Sequence, residues 1–179
     1  MNLEKYQQYS RIARGLEKAD LVLKDARIVN VFTEEIIRGD IAIQDGIIAG
    51  IGSFHGKEER DLAGRYVCPG FIDSHLHLES TLVTPAELVT AASRHGTTTF
   101  IVDPHESANV SGLAGVDYIL DQTENVKANV YVMMPSCVPA TAIDDNGCTL
   151  TAGDMAPYLH NSRILGLGEV MDSISVVQG

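Results

Sequence analysis

Basic residues are scarce in this chain, where 13 Lys and Arg stand against 24 Asp and Glu for a formal net charge of −11 at pH 7. No lysine- or arginine-rich run offsets that balance, which argues against a nucleic-acid partner. Long hydrophobic runs are also lacking. The apolar stretch 41–51 is broken by Gln44 and Asp45, far short of the roughly 20 residues a membrane span needs, so no membrane partner is expected. The N-terminal residues, Met1-Asn2-Leu3-Glu4-Lys5-Tyr6-Gln7-Gln8, have no apolar secretory core. Cysteines are few. Cys68, Cys137 and Cys148 are odd in number and without Cys-x-x-Cys spacing, which reads as reduced, space-filling thiols in a cytoplasmic protein. What the chain does have is 179 residues and 45% hydrophobic content, enough for a sizeable core and too much for a disordered segment.

Along the chain, Leu3, Tyr6, Tyr9, Ile12, Ala13 and Leu16 recur at helical spacing, predicting an amphipathic helix within residues 1–18 that ends near Gly15. Four β-type runs follow at 21–23, 27–31, 36–43 and 47–51, with Asp45-Gly46 marking a hairpin turn. Residues 19–66 therefore read as a small antiparallel β module. Its end, 53–61, is polar enough for a solvated loop, and His55 within it reads as a surface residue.

From Val67 the rhythm becomes strand–helix alternation. An apolar strand at 67–72 leads to His75 and His77. A helix begins at Thr84-Pro85-Ala86-Glu87, with Thr84 as cap and Glu87 able to close a capping box. Further strands are predicted at 97–102, 129–134 and 164–167, with helices at 113–123 and 154–160 between them. Strands separated by helices imply parallel βαβ units. Each predicted strand ends in a polar cluster: His75 and His77, then Asp103-Pro104-His105-Glu106, then Pro135-Ser136-Cys137, then Gly168-Glu169. In a β/α barrel those C-terminal ends form one rim, where the chemistry of that fold is found.

His75 and His77 lie two apart, so on a strand both imidazoles point to one side and suit a divalent metal. Metal-assisted hydrolysis is the natural chemistry of such a rim. Glu169 is placed to bridge two ions, its flanking glycine permitting close backbone approach. A solvated strand-end carboxylate is the plainer alternative. His95 and His160 fall at helix ends and read as charge-compensating residues.

The run Pro69-Gly70-Phe71-Ile72-Asp73-Ser74-His75-Leu76-His77 resembles the first-strand signature of the amidohydrolase superfamily. Leu78-Glu79-Ser80-Thr81, His95-Gly96-Thr97-Thr98-Thr99, Asp103-Pro104-His105-Glu106, Pro135-Ser136-Cys137-Val138-Pro139-Ala140-Thr141 and Gly166-Leu167-Gly168-Glu169-Val170-Met171 are more particular, and resemble the bacterial adenine deaminases. The resemblance covers about residues 20–171. It implies an α/β fold: about four βα units of a metal-dependent hydrolase (β/α)8 TIM-like barrel over 67–179, preceded by a small β-sandwich-type module.

It further implies hydrolytic deamination of adenine to hypoxanthine and ammonia in purine salvage, by attack of hydroxide at C6. A binuclear centre of manganese or iron goes with that chemistry. His75 and His77 would be metal ligands and Glu169 the bridging, catalytic carboxylate. Asp103, His105 and Glu106 would bind a further metal, orient the purine or brace the rim. Glu79 would support the His pair from behind, and Ser136 lines the same rim. Ser107 and the acidic stretch 143–147 depart from the family pattern. Family members are several times longer, and their later histidine and aspartate ligands have no counterpart in this chain. The expectation is therefore the N-terminal portion of such an enzyme, inactive alone, or one associating through exposed barrel edges as a homo-oligomer. Alternatives are another cyclic amidohydrolase, or a truncated, non-catalytic homologue serving as a binding or oligomerisation partner.

Overall fold

A computed structural model describes residues 2–178, and the chain divides into two compact units between Pro69 and Gly70. The first opens with α1 (Leu3–Ala13), whose N-terminus is capped by the Asn2 carboxamide accepting the Lys5 N–H at 2.9 Å. Ile12 is the buried residue of this helix and packs with Ala19, Val22, Ala42 and Phe54.

Five strands follow: β1 (Ala19–Asn30), β2 (Glu35–Gln44), β3 (Ile47–Gly52), β4 (Gly56–Asp61) and β5 (Tyr66–Val67). The β2–β3 hairpin turns at Asp45 and Gly46, both at positive φ (50° and 75°), as a tight primed turn requires. The expected antiparallel sandwich-type module needs correction. The described strands form one sheet, and it is mixed: β1–β2 and β2–β3 are antiparallel, whereas β4 and β5 run parallel to β1. After β3 the chain crosses to the far edge of β1 without reversing direction, so β4 cannot be antiparallel to it. The segment 53–61, expected as a solvated loop, holds β4. This edge strand pairs through its backbone while most of its charged side chains face solvent.

The runs 21–23 and 27–31, expected as separate strands, belong to the single strand β1, which carries a bulge between Leu23 and Ala26. Asp25 sits in the bulge at φ 49°. The extra residue shifts the alternation by one. As a result Leu23, Ala26 and Ile28 all face one cluster with Ile41 and Ile43, while Val22 faces the α1 side.

The second unit alternates strand and helix: β6 (Phe71–Leu76), α2 (Pro85–Ser93), β7 (Thr97–Val102), α3 (His105–Ser111), α4 (Leu113–Gln122), β8 (Asn129–Met134), α5 (Ala152–Met155), β9 (Ile164–Leu167) and α6 (Ser173–Gln178). The strands run parallel in the order β6-β7-β8-β9, the arrangement of successive βα units in a (β/α) barrel. Strand residues Phe100, Val102, Val130, Val132 and Met134 pack against Val89, Val116 and Ile119 of the helices. Arg163 ties this layer together: its guanidinium donates to the Val130 and Leu120 carbonyls at 3.1 and 2.8 Å and to the Thr123 hydroxyl. Among the described residues no helix is long and apolar enough to cross a membrane.

Three local expectations change. The strand leading to the histidines is Phe71–Leu76 and not 67–72, because Pro69-Gly70 separates Val67 from it. Thr84 occupies the N-cap of α2, but its side chain makes no capping hydrogen bond. The capping box forms instead between Thr151 and Asp154 at the start of α5. The helical segment expected at 154–160 divides into α5 and a 3-10 turn over Ala156–His160.

Candidate metal centre

The four strand ends converge. In a flat sheet β6 and β9, with two strands between them, would lie about 14 Å apart. Here the Glu169 side chain, two residues past β9, reaches both histidines at the end of β6. His77 Nε2 lies 3.3 Å from Glu169 Oε1, and His75 Nε2 lies 3.8 Å from Glu169 Oε2. The two imidazoles stand edge to face, with centroids 4.9 Å apart at 87°. The pairing of β6 with β7 is irregular between Asp73 and Leu76, so His75 sits on a local bulge, a device that re-aims a side chain at a strand end. Donor atoms of His75, His77 and Glu169 all lie within 4.8 Å of one another.

The tautomer of His77 follows from its partners. Its Nδ1 lies 2.8 Å from the Asp103 carbonyl oxygen, which can only accept, so Nδ1 carries a proton. Nε2 then presents a lone pair toward a carboxylate oxygen. Acceptor facing acceptor at 3.3 Å needs a cation between them. A proton can serve. Burial pushes the His77 imidazolium toward neutrality, but the charge of Glu106, the Asp103 carbonyl and the carboxylates of Asp103 and Glu169 outweigh it and raise its pKa above the usual histidine value. A divalent ion can serve equally, and nitrogen with carboxylate oxygen is a fitting donor set for one. The residues present therefore fit a metal.

A second group, His77, Glu79 and Glu106, also has donor atoms within 4.8 Å. Here the available imidazole nitrogen is Nδ1, 3.1 Å from Glu106 Oε2, and it is already protonated toward Asp103. This group reads better as a hydrogen-bonded brace than as a metal cage. Glu79 Oε1 accepts the Ser107 N–H at 3.1 Å, and Ser80 Oγ donates to Glu106 at 3.2 Å. Burial raises the Glu79 pKa, and the adjacent Glu106 carboxyl raises it further. Glu106 resists its own burial through backbone N–H, Glu79, His77 and Ser80, and is held below the usual range. Of the two carboxyls Glu79 is therefore the more readily protonated, and its Oε2 is buried without a hydrogen-bond partner.

The remaining rim residues divide. Asp103 is 1% exposed, and its Oδ2 accepts the Glu169 backbone N–H at 3.0 Å. Burial raises its pKa, and that N–H only partly offsets the rise. Ser136 donates from Oγ to the Glu169 carbonyl at 2.6 Å. His105 lies in the first turn of α3 and belongs to neither donor group. The anchoring of the Glu169 main chain by Asp103 and Ser136 is not visible in the sequence. The one signal toward it was Gly168, read as permitting close backbone approach.

Residues 66–168 match the model of the amidohydrolase family. The chain is 57% identical over 177 residues to an adenine deaminase of Desulfitobacterium hafniense (strain Y51), covering 99% of this chain and 31% of that protein. It is 51% identical over 160 residues to an adenine deaminase of Clostridium acetobutylicum, covering 89% and 28%. The chain thus spans under a third of the length of these curated relatives. Among solved structures, it resembles the N-acyl-D-glutamate deacylase of Bordetella bronchiseptica, crystallised with zinc and a phosphonate inhibitor. The TM-score is 0.53 at 24% identity, over 78% of this chain and 34% of that one, a likeness of fold. With the match spanning most of the α/β unit and the strand-end clusters meeting in space, this chain belongs to the amidohydrolase family.

Proposed function

We propose that the protein hydrolytically deaminates adenine, adding water at C6 and releasing ammonia to leave hypoxanthine, with His75, His77 and Glu169 holding a divalent cation. The observation that carries this reading is the pair of imidazole Nε2 atoms, each facing a different oxygen of one carboxylate. The adenine deaminases that match nearly the whole chain at 44–57% identity support the substrate. The bound ion supplies Lewis acidity and a water that ionises near neutral pH. The chain's own part is to fix the two imidazoles and to present Glu169, whose carboxylate takes a proton from the attacking water. Glu79 and Glu106 brace His77 from its Nδ1 side. Manganese or iron suits the mixed nitrogen and oxygen donors. A cytoplasmic role in purine salvage agrees with three unpaired cysteines. Self-association through the outer strands β6 and β9 agrees with exposed Phe71, Ile72, Leu165 and Leu167.

The test uses the full-length protein, loaded with Mn2+ and offered adenine, a hydantoin or dihydroorotate. Ammonia release from adenine alone is the expected result. His75→Ala and His77→Ala should each strip most of the bound metal and lower turnover roughly 10³-fold, since a metal supplies several kcal/mol of transition-state stabilisation. Unchanged metal content in both variants would remove the histidines from the site, and turnover of a ring amide in place of adenine would replace the substrate.

A further inference from the structure

His77 and Glu169 are 92 residues apart in sequence and attached to non-adjacent strands, so something must hold their functional groups at a fixed distance. The flexible Glu169 side chain cannot do this alone, because its own backbone lies past the end of β9. Asp103 is hydrogen-bonded to both partners. The Asp103 main-chain carbonyl accepts from His77 Nδ1 at 2.8 Å, and its side-chain Oδ2 accepts the Glu169 N–H at 3.0 Å. Asp103 is itself fixed, since its N–H donates to the Leu76 carbonyl at 2.9 Å and it is 1% exposed. From the end of β7 its carboxylate reaches past β8 to the chain leaving β9.

That reach requires space at Gly168. A Cβ added there would lie 2.0 Å from Asp103 Oδ2 and 2.7 Å from its Cγ. Such an approach is impossible without displacing a buried carboxylate. Gly168 is also anchored, its N–H donating to the Met134 carbonyl at 2.6 Å. The glycine and the aspartate therefore form one fitted joint.

We propose that Asp103 is a positioning residue that sets the spacing between His77 and Glu169, with Gly168 as the gap that admits it. The inference rests on the metal-holding reading of His75, His77 and Glu169. Asp103 acts through the tautomer of one ligand and the backbone of another, and does not itself donate to the cation. Residues that orient ligands in this way affect metal affinity by roughly 10–100-fold.

The probe is Co2+, whose visible absorption reports ligand geometry, titrated into the full 179-residue chain with folding followed by far-ultraviolet circular dichroism. Asp103→Ala should weaken Co2+ binding roughly 10–100-fold and alter the band shape. Asp103→Asn keeps an oxygen able to accept the Glu169 N–H and should stay within about threefold of the unsubstituted chain, far inside that range. Gly168→Ala, a change just past the end of β9 that leaves every donor in place, should reproduce the Asp103→Ala loss. The double variant should be no weaker than either single one, the mark of residues acting through one contact. Should Asp103→Ala fail to fold, the Asn and Gly168 variants decide the matter. Equal affinity in Gly168→Ala and the unsubstituted chain, with binding still lost in His75→Ala, overturns the positioning role and leaves the metal site standing. A loss in Asp103→Asn as deep as in Asp103→Ala overturns it in favour of direct ligation. No Co2+ uptake by the unsubstituted chain overturns the metal reading and the positioning role together.

Discussion

Replacing Asp40 by alanine is expected to cost the N-terminal unit about 2–3 kcal/mol, less than the full penalty for breaking a buried ion pair because the Lys24 side chain is 28% exposed. Asp40 is 8% exposed and fully committed. Its Oδ2 accepts from Lys24 Nζ at 2.5 Å and from the Phe54 N–H at 3.1 Å, and its Oδ1 accepts the Asp25 N–H at 3.1 Å. Without it the Lys24 ammonium keeps only the Phe54 carbonyl, and two backbone N–H groups lose their partner. One of those belongs to the β1 bulge, so the damage reaches the register of the sheet. Asp40→Asn keeps an acceptor and should lose roughly half as much. Amide hydrogen exchange of β1 and β2 reads the effect locally, and a change below about 1 kcal/mol would reduce the pair to the worth of a surface contact.

The same pair predicts a pH dependence. Burial pushes the Asp40 carboxyl up, but Lys24 and the two N–H donors outweigh it and hold it below the ordinary carboxylate value. A depressed carboxylate contributes stability that is present above its unfolded pKa, about 3.9, and lost as pH falls through the folded value. Lys24 is shifted upward by its hydrogen bond to Asp40, against burial. Its contribution is complete below the ordinary lysine value and fades as pH rises through the folded one. The unit should therefore lose protection in acid, and the Asp40→Ala variant should lose less over the same range.

In the second unit the largest effect is expected from Phe100→Ala, about 3–5 kcal/mol from lost burial and the cavity left behind. Phe100 is 1% exposed on β7, in the cluster with Val89, Val116, Ile119 and Val132. Phe100→Leu retains most of the volume and should cost about 1–2 kcal/mol. Denaturant titration followed by exchange of the β7 and β8 amides checks the order. A cost for alanine no greater than for leucine would show that the surrounding layer collapses freely. Because Asp103 follows directly on β7, the alanine variant should also bind metal more weakly than its residual fold would suggest.

Much of the second unit was legible because its strands declare themselves. β7, β8 and β9 are short runs rich in branched or apolar residues, and their residue ranges are those the pattern marks. β6 was misplaced by an apolar run that continues through Pro69-Gly70 into a different sheet. β4, Gly56-Lys57-Glu58-Glu59-Arg60-Asp61, carries no apolar alternation to read, since an edge strand held by its backbone needs none. α3 went unseen because seven mostly polar residues after a proline give no periodic signal. In the site, the histidines were legible from spacing, and Glu169 from its place after an apolar strand together with a family likeness. The grip of Asp103 on the Glu169 amide was not. A main-chain N–H looks alike at every residue, so no residue type announces such a bond.

The extra residue in β1 has an evolutionary corollary. Two apolar clusters on opposite faces draw on one strand, and the bulge at Asp25 absorbs one extra residue so that Ala26 and Ile28 stay on the same side as Leu23. Deleting Asp25 would remove the need for the bulge and leave Ala26 and Ile28 facing as they do, since Leu23, Ala26 and Ile28 would then alternate regularly with Lys24 and Arg27. The length of this strand can therefore change by one residue at the bulge, whereas a single insertion within a regular stretch would exchange its two faces.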